Sequence, residues 1–437
     1  MLMLKSHFST NPQGHLVIGG VDAVELAERF GTPLYVVDEQ RVRENYKRVY
    51  HAFAEQWPSV FVCYALKANS NLAICKILQS EDAGAEVSSG NELRNALNVG
   101  VPGERAIFNG NHKSPPELEY AITNNVLINI DNFQELNVVE SIASRVGKKA
   151  RIGFRVNPDV ETPTHPYIAT GLRESKFGFD VASGQALEAY KLASKMKNAE
   201  VVAIHAHIGS QILDVGPFEE EAEKLIALVV EIKKRFNIHL QFVDFGGGIG
   251  IPYKPDDPEL KPAQVAERIV AVVKRVVEEK NLTKPTIVFE PGRSIIADAS
   301  VLLARVGYTK ERPGMPTWVA VDAGMNALIR PALYGAYHHI ELANKIREKN
   351  EKLFNIAGPL CESGDFLGKD RKLPAAEPGD LAVIFDVGAY GLALSSQHTA
   401  QPRPAMVLVN RGKAEIIRKR ESYEDLTRLD QIPGWLK

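Results

Sequence analysis

The run Phe61-Val62-Cys63-Tyr64-Ala65-Leu66-Lys67-Ala68-Asn69 carries the pattern from which the architecture follows. An apolar stretch of strand length, rich in β-branched and aromatic side chains, ends in a single lysine and turns polar. A strand buried on both faces, as in a parallel sheet covered by helices, reads this way. A lysine at its end is out of place without a partner, because buried lysines are rare and costly when unpaired. Lys67 is therefore either a snorkelling side chain at a strand terminus or an amine placed for chemistry, able to attack carbonyls.

Outward from this run, apolar segments of strand length recur at Val60–Leu66, Gly84–Val87, Arg105–Phe108, Val126–Ile130, Arg151–Val156, Val201–His207, Leu240–Phe245 and Thr286–Glu290. Segments of helical period separate them, among them Asn91–Asn98, Pro115–Thr123, Gln134–Arg145, Gly184–Met196, Pro217–Phe236 and Ala263–Glu279. Eight strands alternating with helices predict an α/β fold built on a (β/α)8 TIM barrel rather than an open doubly wound sheet. After about residue 304 the texture changes. Strand-like runs dominate at Trp318–Val321, Leu353–Ala357, Leu381–Phe385, Ala405–Val409 and Ala414–Arg418, and helical pattern is confined to Tyr337–Lys349. This predicts a second, mainly β domain. Ahead of the barrel, Asp22 caps a short helix Ala23–Phe30 closed by Gly31, and Thr32–Val37 reads as a strand free to pair with that second domain. The predicted boundaries are 39–304 for the barrel and 1–38 with 305–437 for the β domain.

Composition narrows the function. The 437 residues are 45% hydrophobic and 24% charged, with a net charge of -2. No basic block marks a nucleic-acid partner and no apolar run reaches membrane-spanning length. Three scattered cysteines, Cys63, Cys75 and Cys361, argue against a disulfide framework and for a reducing cytoplasm. The start, Met1 to His7, lacks the layout of a signal peptide.

Polar residues gather where barrel enzymes build their sites. Lys67, Asn109, Asp131, Asn157, His207, Gly246–Gly248 and Glu290 all lie at or just past the C-terminal ends of the expected strands. The glycine run Gly246-Gly247-Gly248 follows the seventh strand, where barrels commonly bind phosphate, and backbone N–H groups can converge there on an anion. Its spacing is not that of a dinucleotide fingerprint. Glu290-Pro291-Gly292-Arg293 follows the eighth strand. Glu290 there is a base, a metal ligand or a partner for a protonated ring nitrogen, and Arg293 a clamp for phosphate or carboxylate, unless the two simply pair. His205 and His207 share a face, which opens a rival reading as a metal-dependent barrel hydrolase. No further histidine or carboxylate pair has ligand spacing, so no metal is expected. A lysine, a phosphate cradle, a carboxylate for a ring nitrogen and a flat histidine together fit pyridoxal 5'-phosphate.

The motifs then become specific. Gly31-Thr32-Pro33-Leu34-Tyr35, Tyr64-Ala65-Leu66-Lys67-Ala68-Asn69, Thr164-His165-Pro166-Tyr167-Ile168-Ala169-Thr170-Gly171 with Lys176-Phe177-Gly178, His207-Ile208-Gly209-Ser210, Glu290-Pro291-Gly292-Arg293, Gly358-Pro359-Leu360-Cys361-Glu362-Ser363-Gly364-Asp365 and Gly388-Ala389-Tyr390 run nearly end to end. With them the chain resembles the diaminopimelate decarboxylase family of alanine-racemase-like (fold type III) pyridoxal phosphate enzymes. The resemblance implies that Lys67 carries the cofactor as a Schiff base, His207 stacks on its ring and Glu290 faces the pyridine nitrogen. Ser210, Gly246, Gly247, Gly248, Pro291, Gly292, Arg293 and Tyr390 would surround the phosphate. Arg293, Arg330, Tyr334, Glu362 and Tyr390 would hold the substrate, meso-diaminopimelate, on its way to L-lysine and CO2 in the last step of lysine biosynthesis. Cys361 would be the proton donor, supplied with Glu362 by the second subunit of a homodimer, and the second domain would be a β-barrel.

The substrate also has a physical side. Its far end carries a carboxylate that Arg293 and Arg330 can bind and an ammonium that Glu362 can bind. Plainer readings remain beside these: Arg330 as a solvated surface charge, Cys361 as a buried small hydrophobe. Two departures stand out. Glu86 replaces the aspartate of a Gly-Ala-Asp-Val pattern, and Ser395-Ser396-Gln397-His398-Thr399-Ala400-Gln401 replaces Ser-Asn-Tyr-Asn-Ser-Arg just after Tyr390. They keep open a related decarboxylase acting on another basic amino acid or polyamine precursor. The segment 157–180 is long for a barrel loop and reads as a lid.

Overall fold

A computed structural model of the chain describes residues 5–162 and 174–436. The chain forms two compact units, one of 43–252 with 257–295 and one of 1–42 with 253–256 and 296–437.

The first unit is a closed barrel of eight parallel strands: β1 (Val60–Ala65), β2 (Gly84–Val87), β3 (Ala106–Phe108), β4 (Leu127–Ile130), β5 (Ala150–Asn157), β6 (Ala199–His205), β7 (Phe242–Asp244) and β8 (Thr286–Phe289). Each pairs with the next, and β8 pairs with β1 to close the ring. Seven helices join successive strands: α1 (Leu72–Ser80), α2 (Gly90–Asn98), α3 (Pro115–Thr123), α4 (Phe133–Val146), α5 (Gln185–Ala193), α6 (Gly216–Phe236) and α7 (Pro262–Glu279). Their ends follow local rules. Asn132 accepts the Glu135 N–H at the start of α4, and Gly147 ends it in the left-handed region at φ 68°. The apolar face of α6 buries Phe218, Ala222, Leu225, Ile226, Val229 and Ile232. Each large side chain of that face contributes roughly 1.5–3 kcal/mol by burial.

The barrel interior is layered. Phe61, Cys63, Ile107, Leu127, Val202, Ala203 and Val288, with Phe242 against them, form an apolar layer. Two residues further along the same strand faces come buried polar side chains: Glu86 after Gly84, Asn109 after Ile107, Asn129 after Leu127, Arg155 after Gly153, His205 after Ala203, Asp244 after Phe242 and Glu290 after Val288. The period of two that fills the core thus also lifts a polar layer to the C-terminal mouth.

In the second unit, Leu34–Asp38 pairs antiparallel with Ser300–Lys310 and parallel with Ala405–Asn410. The sheet extends through Thr317–Val321, Lys352–Ala357 and Phe366–Leu373 on one side and Lys413–Arg418 on the other, with Leu381–Ile384 and Ile340–Leu342 branching from Ser300–Lys310. A separate three-stranded sheet holds Phe8–Thr10, Leu16–Ile18 and Val21–Asp22. Because Ser300–Lys310 joins this unit, the barrel unit ends at Ile295 rather than at 304, and its start lies inside the helix Glu39–Ala54 rather than at 39. The helix expected over Tyr337–Lys349 does not form. Ile340–Leu342 is a strand against Leu381–Ile384, and Ala343 N–H donates to Leu381 O at 2.6 Å. Pairing to an available strand outweighs local helical preference there. The helix α1 and the charged strand Phe366–Leu373 are additions that periodicity did not reveal.

Candidate active site

Lys67 lies in the 3-10 turn Leu66–Ala68 that immediately follows β1. Its side chain is 37% exposed, and its Nζ donates to Glu86 Oε2 at 2.6 Å. Glu86 is fully buried. Its Oε1 accepts from Ser88 Oγ at 3.1 Å and from Asn109 Nδ2 at 3.1 Å. The same Asn109 amide donates to Glu290 Oε1 at 2.8 Å, and Asn109 Oδ1 accepts from Asn129 Nδ2 at 2.8 Å. One asparagine therefore joins the carboxylate at the lysine to the carboxylate at the end of β8.

Glu290 is also met by His205 Nε2 at 3.3 Å. Burial by itself would push the Glu290 carboxyl up, but His205, Lys67 and Asn109 outweigh it and hold it below the usual range. Burial pushes the His205 imidazole down, against the raising pull of the Glu290 charge. Asp244 is driven the other way. Burial and the neighbouring Glu290 charge raise its carboxyl well above the usual range, against the Gly246 N–H that its Oδ1 accepts at 2.9 Å. Of the two buried acids, Asp244 is thus the one that favours the proton and Glu290 the one that favours the charge. The Arg293 guanidinium donates through Nη2 to Ser210 Oγ at 3.1 Å.

His207 is half-buried, and burial together with Lys67 lowers its imidazole far below the usual value. Its Nδ1 accepts the Gly247 N–H at 3.3 Å, which fixes a neutral ring. The glycine run is a packing requirement as much as an anion site. A Cβ on Gly247 would lie 2.2 Å from the Glu290 carbonyl oxygen, and one on Gly246 2.6 Å from that of Ala206. Two of the three expected amides are committed internally, Gly246 to Asp244 and Gly247 to His207. Pro291 and Gly292 are buried in the turn after β8, where a Cβ on Gly292 would crowd Ala65 and Ala68 beside Lys67.

The remaining expected residues belong to the mainly β unit. Arg330 is buried, not a surface charge: its Nε donates to His338 Nε2 at 3.3 Å and its guanidinium lies 5.2 Å from the Tyr253 ring centre. Cys361 is exposed, not a core hydrophobe. Asp365 braces its loop by accepting the Met325 and Leu360 N–H groups at 2.6 and 2.7 Å. Glu362 Oε2 lies 3.1 Å from Nε2 of His398, a residue of the departing segment. Tyr334 ends the short helix Arg330–Tyr334, and Tyr390 adopts a left-handed backbone at φ 57°. The motif Thr164–Gly171 and the central part of the 157–180 segment, read from sequence as a lid, lie outside the described residues. Past them, Phe179–Asp180 pairs with the end of β5.

Residues 40–297 match the family model for the pyridoxal binding domain of pyridoxal-dependent decarboxylases. The chain belongs to the pyridoxal-dependent decarboxylases. It is 43% identical over 429 residues to a diaminopimelate decarboxylase of Methanocaldococcus jannaschii, covering 97% of this chain and 96% of the relative. It is 41% identical over 421 residues to that of Bacillus subtilis, covering 96% of both. The crystal structure of the M. jannaschii diaminopimelate decarboxylase in complex with L-lysine superimposes with a TM-score of 0.93 at 42% identity over 99% of both chains.

The barrel unit of this decarboxylase fits the cofactor of its family. An amine at the mouth suits an aldehyde, and the buried anionic Glu290 suits a ring nitrogen. The neutral His207 offers a flat face, and Ser210 with Arg293 beside the glycine run suits a phosphate. The rival metal reading is not supported by the histidines that prompted it. Among the described residues the potential ligand group is His205, Asp244 and Glu290, within 4.8 Å of one another, and it leaves His207 out. Glu86, Asn129 and Asp244 were given no role from sequence, His205 only that of a metal ligand beside His207, and Asn109 only a place at a strand end. Their signal was present as polar residues on inward strand faces, but their mutual contacts were not.

Proposed function

We propose that this decarboxylase converts meso-2,6-diaminopimelate to L-lysine and CO2, the last step of lysine biosynthesis. The observation that carries the reading is the end-to-end similarity to diaminopimelate decarboxylases, one of them crystallised with L-lysine. Bound pyridoxal phosphate supplies an electron sink for the pair left when the carboxyl bond breaks. The chain's own residues do the rest. Lys67 holds the cofactor through its amine. Glu290, kept ionised by Asn109 and His205, is the counter-charge for a protonated ring nitrogen. His207 offers its neutral face to the ring. Ser210, Gly246–Gly248, Pro291, Gly292, Arg293 and Tyr390 surround the phosphate. Arg293, Arg330, Tyr334, Glu362 and Tyr390 bind the substrate, with Arg330 for the distal carboxylate and Glu362 for the distal ammonium. Cys361 gives its thiol proton to the α-carbon that has lost CO2. Its exposure in this chain, and that of Glu362, suits donation into the site of a second subunit. The enzyme is a homodimer working in a reducing cytoplasm, consistent with three free cysteines. Among the described residues no helix is long and apolar enough to cross a membrane.

The test is CO2 release by purified protein with added pyridoxal phosphate, comparing meso-diaminopimelate, ornithine, arginine and carboxynorspermidine, with Lys67→Ala as control. Release from diaminopimelate alone, lost in the control, is the expected result. Release from another amine would transfer the assignment to a related decarboxylase, and activity surviving in Lys67→Ala would overturn the role of the lysine.

A further inference from the structure

We propose that Glu86 is a positioning residue acting through Lys67: it holds the lysine ammonium whenever the amine is detached from cofactor and relays the proton that attachment requires. The inference rests on Lys67 being the cofactor-carrying lysine.

Three observations place Glu86 in this role. Its Oε2 is 2.6 Å from Lys67 Nζ. Its side chain is fully buried, while that of Lys67 is 37% exposed, so the acid approaches the amine from inside the barrel and leaves the mouth open. Its other oxygen is anchored twice, by Ser88 Oγ and Asn109 Nδ2, both at 3.1 Å. Asn109 is itself oriented by Asn129 and tied to Glu290. The anchors point Oε2 at the lysine and hold it there.

Side-chain length matters at this position. An aspartate, as in the Gly-Ala-Asp-Val pattern, is shorter by about 1.5 Å, one carbon–carbon bond. With both anchors kept and the lysine in place, its carboxylate would stand well back from the 2.6 Å contact with Nζ. The glutamate keeps both the anchors and the contact.

The chemistry follows from the charge state of the amine. Only a neutral amine adds to a carbonyl. The Lys67 ammonium passes one proton to Glu86, and its nitrogen lone pair bonds to the cofactor's carbonyl carbon. The carbonyl oxygen then leaves as water, taking one proton from the nitrogen and the one held by Glu86. Of the three ammonium protons, two depart in water and one stays on the C=N nitrogen, with Glu86 ionised again beside that positive linkage. Catalytic turnover, in which substrate amine displaces the lysine and later returns it, uses the same site in both directions.

The test uses full-length holoenzyme and a spectroscopic readout. Glu86→Gln keeps the shape and removes the charge. Its visible absorbance titration should shift to lower pH by about one unit, because the positive linkage loses its counter-charge. Uptake of pyridoxal phosphate by its cofactor-stripped form should slow by about a hundredfold, the scale of a lost proton relay. Glu86→Asp retains the charge and serves if the glutamine variant does not fold; its uptake should slow in the same direction. Lys67→Ala, treated with borohydride and weighed by mass spectrometry, separates the two premises. If it still carries covalent cofactor, the lysine assignment fails and this proposal with it. If it carries none while both Glu86 variants titrate and load like wild type, the role of Glu86 alone is overturned.

Discussion

Glu290 owes its charge to its neighbours. Left alone in the barrel it would hold a proton, since burial disfavours a carboxylate. Asn109 donates to it, His205 lies against it, and Asp244 is the acid that favours the proton instead. Glu290→Gln is therefore expected to lower kcat by about a hundredfold or more while the holoenzyme keeps its visible absorbance, because the residue tunes the cofactor and does not tether it. Steady-state rates and a spectrum check this together. Gly247 poses a steric problem instead. In Gly247→Ala the new methyl lies 2.2 Å from the Glu290 carbonyl oxygen, so backbone must move at both ends of the site. The variant should lose at least about 3 kcal/mol of stability and retain cofactor poorly, read by thermal melts and by dialysis.

At the scale of elements, α2 begins with a half-buried acid. Glu92 receives the Ser88 N–H at 2.7 Å, and Ser89 Oγ accepts the Glu92 N–H. Burial raises the Glu92 carboxyl from 4.5 to about 7. An acid whose pKa rises on folding holds its proton more tightly in the folded chain. Its stabilising contribution is complete below the unfolded value and is lost as pH climbs through about 7. Glu92→Gln accepts the same N–H without titrating. The difference in melting temperature between pH 5 and pH 8 should shrink in the variant by the equivalent of on the order of 1–2 kcal/mol, allowing for solvent screening. The segment after Tyr390 makes its own prediction. His398 meets Glu362 at 3.1 Å, and both side chains are about half exposed, so the histidine restrains a carboxylate that water also reaches. His398→Ala should raise KM for diaminopimelate several-fold and leave kcat nearly unchanged, as measured by initial-rate kinetics.

The whole-molecule prediction concerns the pair of subunits. If Cys361 and Glu362 serve the partner's Lys67 site, Lys67→Ala and Cys361→Ala homodimers are each inactive. After subunit exchange, half the dimers are mixed and each mixed dimer has one intact site of two, so about a quarter of wild-type activity returns. No recovery after demonstrated exchange would place both residues in one chain's own site.

Much of this molecule was legible in its linear order. The eight barrel strands fall within a few residues of their expected positions because each is a short apolar run ended by a polar residue, a pattern imposed by burial on two faces. The place of Lys67, His207 and Glu290 at strand ends was equally legible, since a period of two fixes the face a side chain takes. Tertiary structure decided what the period could not. Ser300–Lys310 is as apolar as a barrel strand and became part of the β sheet because Leu34–Asp38 and Leu381–Ile384 offered it partners. Ile340–Leu342 likewise took a neighbour's hydrogen bonds over a helix. Glu86 read as a mere departure from a pattern until folding set it against an amine 19 residues away. Sequence determines which side chains are inward and polar through local, periodic rules; which of them touch, and which of two acids keeps the proton, depends on distances set only when the barrel closes.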